Sequence, residues 1–67
     1  MKGFIARDSD DKLFLYTPNH PIKAEKEWKI ASKLDDLFTI DEDLFPEVKW
    51  EDEEPTEINI EIVNKKQ

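Results

Sequence analysis

The sequence predicts a mostly β fold, built as a small antiparallel sheet. Two observations carry this prediction. Residues 3–17 contain two runs of strand-forming residues separated by a short polar turn, which is the pattern of a β-hairpin. Over residues 58–63, isoleucines alternate with polar residues, so that one face of the segment is apolar. One or two further strands are expected within 27–50, together with a short helical turn at 41–45.

The hairpin prediction depends on the turn as well as on the strands. Residues 4–7 and 13–17 are rich in β formers. Residues 8–11 are short and polar, bond readily to their own backbone and tolerate left-handed conformations. A calcium loop of the EF-hand type is not expected, because Lys12 and Leu13 stand where an oxygen ligand and a glycine would be needed.

The segment 22–40 admits two interpretations. Apolar residues at helical spacing, and a composition rich in Ala, Glu and Lys at 23–29, favour an amphipathic helix at 22–37 and an α+β fold. The residues at helical spacing are Ala24, Trp28, Ala31, Leu34 and Phe38. Alternation around 28–30 and 38–40 favours two strands instead. Periodicity alone leaves both interpretations open.

The segment 41–57 combines apolar and acidic residues. Asp41 can cap a single helical turn that Pro46 ends. Val48 to Trp50 reads as a short extended stretch, and four consecutive acids follow at 51–54. A bulky indole beside a charge run normally rests on the domain, so we expect Trp50 to be at least half buried. The acids themselves must be exposed, because unpaired buried carboxylates are too costly.

Charge is distributed unevenly along the 67 residues, whose formal net charge is −7. Residues 34–57 hold eleven acids and one lysine, whereas residues 1–33 hold seven basic and five acidic groups. Such an acidic block repels anionic polymers, so direct binding to nucleic acid or to an anionic membrane is not expected. Solubility is the plain explanation for the acids, and a dedicated interaction surface is the functional one.

The residue inventory argues against enzymatic chemistry. The chain has no cysteine, one glycine and one histidine, which rules out thiolate chemistry, zinc–thiolate sites and a glycine-rich phosphate loop. His20 lies in a proline-flanked stretch and is expected to be a solvated loop residue. We therefore predict no catalytic residues, no cofactor and no metal site.

Length and hydropathy predict a single small domain over 1–67, with a frayed tail at 64–67. The first residues do not form a secretory signal, since charge returns after a few apolar residues. No apolar run approaches the roughly 18 residues of a membrane span. The expected location is the cytoplasm.

Two stretches resemble a group of short bacterial proteins from gut commensals and their mobile elements. They are the opening MKGFIARD and the LFPEVKWEDEEPTE segment at 44–57. That group has no assigned activity, so the resemblance implies no functional residue. It does imply a bacterial protein whose segment 22–40 is strand-like in its second half.

The function expected from these features is that of a small acidic module that presents segment 51–57 to a protein partner, one with a basic surface. The predicted contact residues are Phe45, Trp50, Glu51, Asp52, Glu53, Glu54 and Glu57. Two alternatives stay open: an inhibitor that mimics nucleic acid on a DNA-binding enzyme, and a structural or self-associating subunit that forms a homo-oligomer. A continuous acidic strip would favour mimicry, and an apolar patch ringed by acids would favour an ordinary protein partner.

Overall fold

Six β-strands and no helix make up residues 1–61, the part of the chain that the computed structural model describes. The strands are β1 (Lys2–Arg7), β2 (Leu13–Thr17), β3 (Ile22–Lys23), β4 (Trp28–Lys29), β5 (Asp36–Ile40) and β6 (Thr56–Asn59). Four of them form an antiparallel sheet in the order β5-β2-β1-β6, while β3 and β4 pair separately. The predicted mostly β fold is confirmed. None of the described residues belongs to a helix that could cross a membrane.

The predicted hairpin is β1 and β2, paired from Phe4 opposite Tyr16 to Arg7 opposite Leu13. Its turn closes with two backbone hydrogen bonds, from Asp8 N–H to the Lys12 carbonyl and from Asp11 N–H to the Asp8 carbonyl. Asp11 has a φ of 73°. This is the left-handed conformation that short polar side chains tolerate, so the turn chemistry read from the sequence is confirmed.

Both faces of the sheet carry a hydrophobic cluster, because successive residues of the central strand β1 point to opposite sides. Phe4 and Ala6 pack with Tyr16 and Trp28 on one face. Ile5 packs on the other face, with Leu13, Val48 and the partly buried Ile58, among others. Trp28 and Ile58 therefore lie in separate clusters, on opposite faces of the sheet.

The last strand is shifted relative to the prediction of 58–63. β6 begins at Thr56, because the β1–β6 register places Thr56 opposite Ile5. Regular strand geometry ends at Asn59, although Ile60 and Met1 still exchange backbone bonds of 2.7 and 3.2 Å. Ile58 and Ile60 are partly buried. Ile62 and the predicted tail at 64–67 lie outside the described residues.

The alternative helix at 22–37 does not form. Residues 22–23 turn back to pair with residues 28–29, and Ala24 N–H donates to the Glu27 carbonyl to close the turn. Trp28, only 5% exposed, fills the first cluster as part of β4. Leu34, which would complete the helical stripe, is 88% exposed. Burial of the indole in this arrangement outweighs the modest helix propensity of the flanking residues.

A hydrogen-bonded turn replaces the helical turn predicted at 41–45. Asp41 caps the turn as expected, since its side chain accepts from the Asp43 N–H at 2.9 Å. Leu44 N–H donates to the Asp41 carbonyl, but Phe45 then enters the left-handed region at φ 51° and stops any helical continuation. The carbonyls of Glu42, Leu44 and Phe45 accept from Arg7, and that of Phe45 also accepts from the Val48 N–H.

Arg7 is the structural centre of this arrangement. Its side chain is almost fully buried at 8% exposure, and its guanidinium makes five hydrogen bonds. An arginine has five N–H donors, so all of them are used. The acceptors are the backbone carbonyls of Asp11, Glu42, Leu44, Phe45 and Val48, at 2.6–3.1 Å. Carbonyl dipoles therefore compensate this buried charge in place of a carboxylate.

The segment β3–β4 docks on the sheet through Trp28 and the hairpin turn. The backbone N–H of Trp28 donates to Asp8 Oδ1 at 2.9 Å, and the Trp28 carbonyl accepts from the Tyr16 hydroxyl at 3.2 Å. Ser9 adds a bond from its hydroxyl to the Lys26 carbonyl. Burial raises the pKa of the Asp8 carboxyl, and the charges of Asp10 and Glu27 add to this shift, while the Trp28 bond opposes it. The Asp8 carboxylate is thus a buried acceptor held at some electrostatic cost.

Replacing Arg7 should be severely destabilising. Arg7→Met leaves five carbonyls without their donor, and we expect it to cost on the order of 3 kcal/mol or more. Arg7→Lys keeps the charge but not the planar fork, so its cost should lie between that of Arg7→Met and zero. Urea unfolding followed by tryptophan fluorescence measures both. Lys33→Met, at an exposed position, is the control; an Arg7→Lys protein as stable as wild type would contradict this account.

Asp8 should make folding less favourable as the pH rises. Its folded pKa lies above the ordinary value of 3.8, so the native state binds the proton more tightly than the unfolded chain. Stability is therefore lost as the pH climbs from about that value through the folded pKa. Asp8→Asn keeps a side-chain oxygen that can accept from the backbone N–H of Trp28, and it removes the negative charge. We expect it to be at least as stable as wild type at neutral pH, with a shallower pH dependence.

Asp8→Ala supplies the comparison for this pH experiment. It removes the acceptor as well as the charge and should cost about 1–3 kcal/mol, the penalty for an unsatisfied buried N–H. Urea unfolding at a series of pH values from acidic to neutral compares the three proteins. A steeper pH dependence in Asp8→Asn than in wild type would disprove the sign assigned here.

Candidate partner-binding surface

The irregular segment between β5 and β6 is attached to the body of the protein at a second point, Lys23. The Lys23 ammonium donates to the carbonyls of Trp50 and Asp52, at 2.6 and 2.8 Å. The same ammonium lies over two indole rings, 4.3 Å from the Trp50 centroid and 5.7 Å from that of Trp28. Cation–π attraction and two charge-assisted bonds therefore hold the turn at 49–52 against β3 and β4.

A shallow hollow of about 510 Å³ opens beside this segment. Arg7 and Val48 are the buried residues of its lining, and Trp50 lines it as well. Four carboxylates line the hollow: Asp11, Glu42, Asp43 and Glu51. All four residues are exposed. Lys49 is the one exposed basic residue in the lining.

The carboxylates of this surface lack cationic partners within residues 1–61. The ion pairs there are Lys2 with Glu57 at 3.7 Å and Lys29 with Glu27 at 4.0 Å, both between exposed side chains. Arg7 and Lys23, the two cations that hold the acidic segment, direct their donors to backbone carbonyls. The fold thus fixes the backbone of the acidic segment without neutralising its side chains.

The two predicted apolar anchors, Trp50 and Phe45, are both partly buried. Trp50 packs against the cluster of Phe4, Tyr16 and Trp28, so the expectation that it is at least half buried is confirmed. Phe45 packs against the opposite cluster, with Ile5 among its members, and does not line the hollow. Trp50 is therefore the anchor candidate whose ring borders the acidic surface.

The predicted acidic residues are not all brought together. Glu51 lines the hollow, whereas Glu53 and Glu54 are exposed beyond it. Asp52 has a structural task, since its Oδ2 accepts from the Lys49 N–H at 3.0 Å. Glu57 lies on β6 opposite Phe4 and reaches Lys2. We define Glu51, Glu53 and Glu54, three exposed carboxylates with no structural bond among residues 1–61, as the acidic ridge.

Sequence analysis missed three acids of the hollow: Asp11, Glu42 and Asp43. Asp11 belongs to the first turn of the chain, and the Arg7 guanidinium joins its carbonyl to that of Glu42. No local pattern indicates this contact, because it depends on where a buried arginine places its donors. The acidity of 41–43 was visible in the sequence, but its position beside Glu51 was not.

This surface has the chemistry to bind a cation carried by another molecule. Carboxylates around a depression attract Lys or Arg side chains, and the apolar residues Trp50 and Pro46 also line the hollow. Within the described residues no cluster of three or more His, Cys, Asp or Glu side chains is arranged to hold a metal ion. Ser9 also lines the hollow, and its hydroxyl donates to the Lys26 carbonyl.

Removing the Lys23 ammonium should loosen the turn at 49–52 without unfolding the sheet. Lys23→Met keeps the aliphatic stem but loses both bonds and the cation–π contacts, so we expect a loss of about 1–2 kcal/mol. Amide hydrogen exchange at Lys49 and Asp52, whose N–H groups bond within that turn, should accelerate. Lys26→Met is the matched control. Unchanged exchange at both amides would show that Lys23 does not hold the turn.

Comparison with known proteins finds no counterpart: no protein-family model, no curated protein and no solved structure matches the chain.

Proposed function

We propose that this protein is an acidic interaction module that binds a protein partner with a basic surface. The contact region comprises the acidic ridge, the neighbouring residues of segment 51–57 and the acidic hollow. One observation carries the proposal: the backbone of 42–52 is held by two inward-facing cations, while its carboxylates other than that of Asp52 are exposed and have no cationic partner among residues 1–61. A charged surface that is held in one conformation loses less entropy on binding than a flexible acidic tail would.

The composition of the surface favours a protein partner over mimicry of nucleic acid. Trp50 and Pro46 lie among the acids of the hollow, and Leu44 is 51% exposed in the same segment. Apolar residues thus lie among the carboxylates, which suits a basic protein surface that also offers apolar contacts. The acids would steer the encounter, and a Lys or Arg side chain of the partner would enter the hollow.

Carboxylates that repel one another are also expected to weaken folding slightly. Their presence beside an anchored apolar ring therefore supports a binding role, since stability alone would favour fewer of them. The rival explanation, solubility, requires only that the acids be exposed and makes no distinction between positions. An experiment that compares positions at equal net charge separates the two.

The test compares two triple variants that remove the same number of charges. The ridge variant is Glu51→Gln, Glu53→Gln and Glu54→Gln; the control is Glu25→Gln, Glu27→Gln and Glu61→Gln, all at exposed positions. Both should fold with wild-type structure, and the ridge variant should melt at an equal or higher temperature at low salt because repulsion is relieved. Circular dichroism and thermal melts establish this first.

Affinity capture from bacterial lysate with quantitative mass spectrometry then compares the immobilised proteins at low and moderate salt. A true partner should be retained by wild type and by the control variant and depleted on the ridge variant. Its association rate, measured by surface plasmon resonance, should fall about tenfold with the ridge variant and lose salt dependence, since exposed charges act mainly on the on-rate. If both triple variants weakened partner binding equally, the acids of the ridge would serve only to keep the protein soluble. Competitive displacement of the partner by duplex DNA would favour mimicry instead.

A further inference from the structure

The edge strand β5 presents apolar side chains that the described part of the chain leaves uncovered. β5 lies at one end of the sheet order β5-β2-β1-β6. Leu37 and Phe38, which point to opposite faces, are 52% and 51% exposed. Thr39 between Phe38 and Ile40 is exposed as well. A strand with about half of each large apolar side chain in water has room for a further contact on both faces.

The register of the hairpin determines which backbone groups of β5 point away from the sheet. Asp8 N–H bonds to the carbonyl of Lys12, the residue opposite it, which identifies a hydrogen-bonded pair. Such pairs alternate in an antiparallel ladder, so residues 13, 15 and 17 of β2 bond towards β5. Their partners are Ile40, Phe38 and Asp36. The N–H and C=O groups of Leu37 and Thr39 therefore point away from the sheet.

Nothing in β5 blocks the addition of another strand. The usual protections of an exposed edge are a lysine, a proline or a bulge, and the strand Asp36–Ile40 contains no lysine or proline and pairs in continuous register with β2. Among residues 1–61 no turn, loop or side-chain hydrogen bond reaches the backbone of Leu37 or Thr39. The edge can accept a strand by backbone hydrogen bonding.

Charge distinguishes between the possible occupants of this edge. Carboxylates flank the strand at both ends: Asp35 and Asp36 at one end, Asp41, Glu42 and Asp43 at the other. A second copy of the chain, paired antiparallel along the full strand about Phe38, would set Asp35 opposite Asp41 twice. Like charges directly opposite are destabilising, so self-pairing in this register is disfavoured. A strand with basic residues at both ends meets no such repulsion.

We propose that β5 binds an extended peptide segment of a partner protein, antiparallel to β5, with alternating apolar residues in its centre and Lys or Arg at both ends. Leu37 and Thr39 form the backbone bonds, and the exposed rings and methyls of β5 contact the central residues. The exposed flanking carboxylates bond the basic ends: Asp36 at one end, Glu42 and Asp43 at the other. This site shares Glu42 and Asp43 with the acidic hollow but contains none of the acidic ridge. Its backbone bonds at Leu37 and Thr39 do not depend on the function proposed for that surface.

The probe is a synthetic peptide with alternating valine and threonine between pairs of lysines, titrated into isotope-labelled protein and followed by NMR. We expect saturable binding, with shift changes along β5 and slower amide exchange at Leu37 and Thr39. The same peptide with glutamates in place of the lysines should bind at least about tenfold more weakly, because its ends would face the carboxylates.

A matched pair of variants locates the site. Thr39→Lys places a positive charge on the β5 edge and should weaken binding of the lysine peptide at least about tenfold. Thr56→Lys makes the same change at an exposed position of the opposite edge strand and should leave binding within about twofold of wild type. The ridge variant should bind the peptide as its charge-matched control does.

Three outcomes would overturn the proposal. One is the absence of saturable binding up to the solubility limit of the lysine peptide. Another is protection at Glu57 and Asn59 on the other edge, in place of Leu37 and Thr39. The third is concentration-dependent protection of Leu37 and Thr39 without peptide, together with a dimer in analytical ultracentrifugation that Thr39→Lys dissociates. That result would assign the edge to a second copy of the chain.

Discussion

The rest of the structure depends on the bonds between the Arg7 guanidinium and five backbone carbonyls. Fifteen residues, 41–55, separate β5 from β6, and none of them belongs to a strand or a helix. An irregular segment has many carbonyls to satisfy, and Arg7 satisfies four of them between Glu42 and Val48. Val48 can then enter the second cluster.

Lys23 repeats this solution at the far end of the same segment, where it binds the carbonyls of Trp50 and Asp52. Both cations therefore donate their hydrogen bonds to backbone carbonyls and not to side-chain carboxylates. In most small domains basic residues this close to an acidic run would offset its charge. Here the negative potential stays outside while the positive charges lie beneath it, and a conformationally restrained acidic surface results. Stability and the proposed function are linked in this way: the backbone carbonyls bond the two cations, and the side-chain carboxylates stay available to a partner.

Local chemistry explains which parts of the fold and the site were predictable. The β1–β2 hairpin is encoded by strand formers on either side of a polar turn, and Asp11 takes the left-handed conformation that its short side chain permits. The burial of Trp50 beside four acids was predictable from the indole's apolar area. The hollow was not, because Asp11 and Glu42 meet only through the Arg7 guanidinium. Nor was the exposed edge at β5, since strand order is a long-range property.

The sequence by itself determined the first hairpin and the exposure of Glu51, Glu53 and Glu54, because each follows from neighbouring residues and from the cost of burying charge. Only the tertiary structure decided between helix and strands at 22–37. Helical spacing and strand alternation were both present there, and the choice depended on burying Trp28 against Phe4 and Tyr16, residues distant in the chain. It also decided that Arg7 faces inward. A lone arginine in a strand carries no local sign of burial, and five carbonyls from two separate turns must converge before burial becomes favourable.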